Sequence, residues 1–85
     1  MLRKRSLSLS GHATSIALEP EFWAVLEDMA RSRGVSLAQL IIGIDETRGE
    51  RPLASACRVA ALLMVRSTLE APPPQPSPAS EGGGR

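Results

Sequence analysis

The sequence predicts a mostly α-helical domain that begins with a short β-ribbon. Across residues 14–18 the apolar side chains alternate with small or polar ones, which is typical of a half-buried strand. From Pro20 onward the apolar residues recur at helical spacing, and two further segments with a helical pattern follow. A lone strand leaves its backbone N–H and C=O groups unpaired, so we expect a second copy of the chain to supply the partner strand. The first prediction is therefore a homodimer.

The strand pattern places Ile16 and Leu18 on the buried side. A second alternation runs over residues 6–10, and Gly11-His12 interrupts it. Because glycine is compatible with the first position of a two-residue loop, residues 6–18 can form a hairpin. The alternative is a basic N-terminal arm over residues 1–12, followed by one strand.

Two helices have clear boundary signals. For the first, Pro20 suits the first helical turn and Gly34 suits the position after the last turn, so we expect a helix from about Pro20 to Arg33. For the second, Ser36 is a good N-cap and Gln39 stands three residues later, which completes a capping box.

A third helix is expected from about residue 53 to residue 68, and it is apolar on most sides. A neighbouring subunit or another protein partner could cover such a helix. Residues 69–85 are rich in proline and glycine and predict a disordered tail. The predicted organisation is an arm or extra strand over 1–12, a domain over 13–68, and this tail.

Composition limits the classes of function. The chain has 85 residues, 42% of them hydrophobic and 2% aromatic, which allows one small aliphatic core. The formal net charge is only +1, but positive charge gathers before the strand at Arg3, Lys4 and Arg5. Such a triplet suits contact with a polyanion such as DNA, and it also suits a solubilising terminus.

Candidate catalytic and metal-binding residues are few. The one cysteine, Cys57, lies in an apolar helical pattern, and the one histidine, His12, is far from it in sequence. There is no paired carboxylate set, nucleophile–base set or phosphate-binding glycine loop. We therefore expect no enzyme activity, no metal and no cofactor. The longest apolar run is too short to cross a membrane, so we expect no membrane contact and a cytoplasmic protein.

The stretch Gly-His-x-Thr-Ser-Ile-x-Leu-Glu-Pro-Glu-Phe-Trp, which begins at Gly11, is the most distinctive motif. Together with Met29-Ala and Arg33-Gly-Val-Ser-Leu, it resembles a compact bacterial branch of the ribbon-helix-helix domain family, over roughly residues 3–68. This resemblance implies an intertwined homodimer in which strands of two chains pair antiparallel. It also implies a DNA-binding protein, in particular a small transcriptional regulator, whose ribbon enters the major groove.

The resemblance assigns roles to individual positions. The base-facing positions are Ala13, Ser15 and Ala17, and the inward ribbon positions are Ile16 and Leu18. The other residues expected at the dimer interface are Trp23, Ile41 and Ile44. Phosphate contacts are expected from Arg3, Lys4, Arg5, His12 and the helix end at Ser36.

The base-facing positions also favour an alternative function. Specific base recognition generally uses Arg, Lys, Asn or Gln, whereas Ala13 and Ala17 offer only methyl groups and Ser15 one hydroxyl. A ribbon-helix-helix-type module that binds another protein, without reading DNA specifically, is consistent with the same residues.

Overall fold

The structure, a computed structural model, describes residues 1–70. A β-hairpin is followed by helices that pack against one of its faces. The elements in chain order are β1 (Arg3–Leu9), β2 (His12–Leu18), α1 (Pro20–Arg33), α2 (Leu37–Thr47) and α3 (Leu53–Glu70). Strand β1 packs against α2, and β2 packs against α3. The order confirms the predicted fold class of an N-terminal β-ribbon followed by helices.

The ribbon is formed within one chain. Strands β1 and β2 pair antiparallel, with Arg3 opposite Leu18 and Leu9 opposite His12. The residues of the loop are Ser10 and Gly11, at φ values of 51° and 92°. Positive φ at both central residues matches the twist of a two-residue hairpin, so the Ser-Leu run folds back onto β2. Strand β2 therefore has β1 as a partner within its own chain, while the expected pairing with a second copy stays a prediction. The loop lies one residue earlier than Gly11-His12.

The ends of α1 and α2 follow the signals in the sequence. Helix α1 ends at Gly34, at φ 70°, where the Gly34 amide donates to the Arg31 carbonyl and the Val35 amide to that of Ala30. Helix α2 begins after a complete capping box. The Ser36 hydroxyl accepts from the Gln39 amide at 3.0 Å, and the Gln39 side chain accepts from the Ser36 amide at 3.1 Å.

One apolar core joins the inner face of the hairpin to all three helices. The largest side chains that are fully buried are Leu18, Leu26, Ile41 and Cys57. The remaining buried members of this core are Leu9, Ile16, Trp23, Met29, Ala30, Leu40 and Ala61. The hairpin is therefore fixed to the helices through one side of each strand.

Helix α3 extends two residues beyond the predicted end at residue 68, to Glu70. From residue 71 onward the predicted tail lies outside the described residues. The domain boundaries at residues 12 and 68 stay predictions. Within residues 1–70, no helix is both long and apolar enough to span a membrane.

Candidate nucleic-acid interface

The hairpin has an inner and an outward face, because successive side chains of a strand alternate and paired residues share a face. Leu9, Ile16 and Leu18 are buried and define the inner face. The outward face carries small or charged side chains that are exposed or half-buried: Lys4, Ser6, Ser8, Ala13, Ser15 and Ala17. At its centre the hydroxyls of Ser6 and Ser15 lie 3.2 Å apart. This outward face includes the predicted base-facing positions Ala13, Ser15 and Ala17.

Arg5 lies on the inner side of the ribbon. Its guanidinium binds the Glu27 carboxylate at 2.8 Å and lies over the Trp23 ring, 4.8 Å from the ring centroid. The indole N–H of Trp23 donates to the Arg3 carbonyl at 2.8 Å. These contacts hold the start of β1 against α1, so the Arg5 side chain already has partners within the fold.

The other basic residues near the ribbon have different positions. Lys4 is exposed on the outward face, opposite Ala17. Arg3 is exposed at the open end of the hairpin, opposite Leu18. His12 is exposed beside the loop, opposite Leu9. The outward face therefore brings Lys4 together with the predicted base-facing residues, while Arg3 and His12 lie at the two ends of the hairpin, in the register of its inner face.

The N-terminus of α2 is the predicted phosphate contact on the helices. The capping box occupies the amides of Ser36 and Gln39. The amides of Leu37 and Ala38 belong to the first helical turn and have no intrahelical acceptor. These N–H groups, with the positive end of the helix dipole, can bind an anion.

The residues predicted at a dimer interface divide into two groups. Ile16, Leu18, Trp23 and Ile41 are buried in the core of their own chain. Ile44 is only partly buried, and it lines a groove between α2 and α3 with Ala60 and Leu63. Of the predicted set, Ile44 is the side chain that this arrangement leaves accessible.

Two parts of the arrangement were missing from the sequence-based site. Ser6 and Ser8 join the outward face, and the alternation over residues 6–10 was the signal that could have revealed them. Arg58 of α3 binds the Glu19 carboxylate at 3.0 Å and lies over the Phe22 ring. A backbone hydrogen bond at Glu19 and the Arg58 side chain lower the pKa of that carboxyl. No sequence signal marks this second contact, since the charged partners are 39 positions apart.

The fold and the two-faced ribbon define a class of protein built from an N-terminal β-ribbon and following helices. A family model described as ribbon-helix-helix domain matches residues 2–65. The chain belongs to this family. No curated protein and no solved structure matches it. The family generally includes DNA-binding transcriptional regulators, its fold is a non-enzymatic DNA-binding fold, and its members typically form homodimers that bind DNA.

Proposed function

We propose that this protein is a homodimeric, DNA-binding transcriptional regulator of the cytoplasm. The observation that carries the proposal is the outward face of the hairpin. The side chains of this face are short apart from Lys4, and no helix packs on it within residues 1–70. The major groove of B-DNA is wide enough for a two-stranded ribbon, and short side chains allow the backbone of that ribbon to approach the bases closely.

The chemistry of the face favours weak base discrimination. The methyl groups of Ala13 and Ala17 can contact thymine methyls, and the hydroxyls of Ser6, Ser8 and Ser15 can donate or accept. None of these groups makes the bidentate contact that distinguishes guanine or adenine. We therefore assign most of the affinity to phosphate contacts rather than to base contacts.

The phosphate contacts in this proposal come from Lys4 and Arg3 at one end of the hairpin, and from the amides at the start of α2. Arg5 contributes to the positive potential but keeps its contacts with Glu27 and Trp23. His12 lies beside the loop, where it can approach the DNA backbone. Because most of the affinity is assigned to phosphate contacts, salt should weaken binding in proportion to the number of phosphates that this set neutralises.

Titration of the whole chain with a fluorescent DNA duplex, followed by anisotropy at several salt concentrations, tests the proposal. We expect the logarithm of the binding constant to fall linearly with the logarithm of the salt concentration, with a slope of about −0.9 per neutralised phosphate. Absence of binding at low salt, or binding that is insensitive to salt, would contradict the proposal.

A second candidate function has its own observation. Leu62 and Leu63 of α3 are 53% and 57% exposed, and Leu69 is 78% exposed. An apolar helix face of this kind is typical of a surface that binds another protein. In this alternative the chain is a protein-interaction module. It is favoured if a protein partner binds a variant that lacks Arg3, Lys4 and Arg5 as tightly as it binds the unaltered chain.

A further inference from the structure

A groove between the helices, which we call the helix groove, has an apolar floor. Ile44 of α2 lies where its three adjoining parts meet, and Leu63 of α3 lines two of them. Leu63 is 57% exposed, and Val35 at one end of the groove is 38% exposed. Among the described residues that line the groove, none belongs to the hairpin, so the groove is separate from the outward face.

The charged residues that line the helix groove are all arginines, namely Arg33, Arg48 and Arg51, and no Asp or Glu within residues 1–70 lines it. Arg48 binds the Asp45 carboxylate at 2.6 Å and donates to the Arg51 carbonyl at 2.7 Å. Arg33 and Arg51 are exposed, and neither forms an ion pair with another residue of this range. The groove therefore combines an apolar floor with positive charge at its edges.

The shape of the helix groove favours an elongated occupant. A site for a small molecule generally encloses most of the surface of its ligand, whereas this groove is open along its length. It follows α3 from Ala56 to Thr68, which is about 18 Å at 1.5 Å per residue. An amphipathic helix of about three turns has this length, and it can place an apolar stripe on an apolar floor.

The charge of the helix groove decides the kind of helix. In a two-fold contact between copies of the chain the same patch meets itself, so arginines would lie close to arginines. Such like-charge contacts oppose association, whereas carboxylates on a partner would complement Arg33 and Arg51. The arginines therefore favour a different, acidic partner over a second copy of this chain.

We propose that the helix groove binds an amphipathic helix of another protein, in which Asp or Glu residues flank an apolar stripe. The apolar stripe covers Ile44 and Leu63, and the flanking carboxylates pair with Arg33 and Arg51. This inference goes beyond DNA binding, because the hairpin contributes no residue to the groove. A partner can bind there while the outward face contacts DNA.

Two synthetic peptides test the proposal without DNA, so its failure can be distinguished from a failure of the proposed function. Both are labelled 18-residue peptides with leucine repeating at i, i+3, i+4 and i+7, flanked by glutamate in one and by lysine in the other. Fluorescence anisotropy with the whole chain should show binding of the glutamate peptide at least about tenfold tighter than that of the lysine peptide. The expectation rests on two charge pairs, each contributing up to a factor of about five.

Variants of the chain identify the site of binding. R33A should weaken binding of the glutamate peptide about two- to fivefold, and R33E/R51E should reverse the preference so that the lysine peptide binds more tightly. The matched control is R31A, because Arg31 lies in the same last turn of α1 and is exposed, but does not line the groove. It should leave binding of the glutamate peptide unchanged.

The floor of the groove is tested with L63K, which should fold because the Leu63 side chain is more than half exposed. This variant should lose peptide binding but sediment like the unaltered chain, with folding checked by circular dichroism. Three results would overturn the inference: equal or absent binding of the two peptides, equal effects of R33A and R31A, and a change of oligomeric state in L63K. The last result would show that a second copy covers the groove.

Discussion

Lys4 and Arg5 are neighbours in the sequence, but their environments differ because adjacent strand residues point to opposite faces. Arg5 contacts Glu27 and Trp23 on the inner side. Lys4 is exposed on the outward face beside Ala17. The charge available to a polyanion therefore depends on the position within the strand, and not only on the number of basic residues.

We predict that K4A weakens DNA binding uniformly across sequences. Removal of one phosphate-binding side chain per chain should also reduce the salt dependence, with a change in slope of about 1 for each phosphate that is no longer neutralised. Salt-dependent anisotropy titrations measure both effects. R31A is the matched control, because Arg31 also carries one positive charge but lies on α1, paired with Asp28 at the surface. Equal decreases in affinity for the two variants would indicate a general charge effect and contradict the assigned role of Lys4.

The stability of the fold should depend on pH through the buried thiol of Cys57. Burial, with a smaller contribution from Asp45, raises the pKa of this thiol from 9.0 to about 11. Between these values the unfolded chain loses the proton and the folded chain keeps it, so the free energy of unfolding falls as pH rises from 9.0 toward about 11. The loss should be roughly 2–3 kcal/mol, from about 1.4 kcal/mol per pKa unit.

Urea denaturation across this pH range measures the loss, and C57A is the control because it removes the titrating thiol. The difference in free energy of unfolding between the unaltered chain and C57A should narrow as pH rises. A difference that stays constant with pH would contradict the raised pKa.

At the scale of elements, the boundaries of α1 and α2 could be predicted from local chemistry. Pro20, Gly34 and the Ser36–Gln39 capping box each act over a few residues, so the sequence contains the whole signal. The sequence left two partners open for β2, the run over residues 6–10 and a second copy, because alternation specifies the faces of a strand and not the strand beside it. The loop was predicted one residue too late because Ser10 adopts a positive φ, which is uncommon for a non-glycine residue.

We predict opposite effects for the same substitution at two glycines. G11A should lower the free energy of unfolding by roughly 1–2 kcal/mol, because alanine is strained at the φ of 92° that the loop requires. G43A should raise it by about 0.5–1 kcal/mol, because Gly43 lies inside α2 and open space surrounds an added Cβ. Urea denaturation of both variants measures whether the free energy of unfolding falls in G11A and rises in G43A. Stabilisation by G11A would contradict the hairpin loop.

At the scale of the whole molecule, the alternation of apolar and small residues in the sequence gives the hairpin two different faces. The inner side completes the core, and the outward side is available for binding. The outward positions Ala13, Ser15 and Ala17 could be predicted from alternation and from the family resemblance. The long-range pairs Arg5–Glu27 and Arg58–Glu19 could not, because they depend on how the chain folds back over 22 and 39 positions.

Comparison of the DNA affinity of S6E with that of S67E tests whether the outward face of the hairpin binds DNA. Both variants replace an exposed serine with a negative charge, but Ser6 lies at the centre of the outward face and Ser67 lies on α3. If the outward face binds DNA, S6E should weaken binding at least about tenfold, since like charges in an interface cost several kcal/mol, while S67E should stay close to the unaltered chain. Equal affinity of S6E and S67E for DNA, with both variants folded, would show that the outward face does not bind DNA.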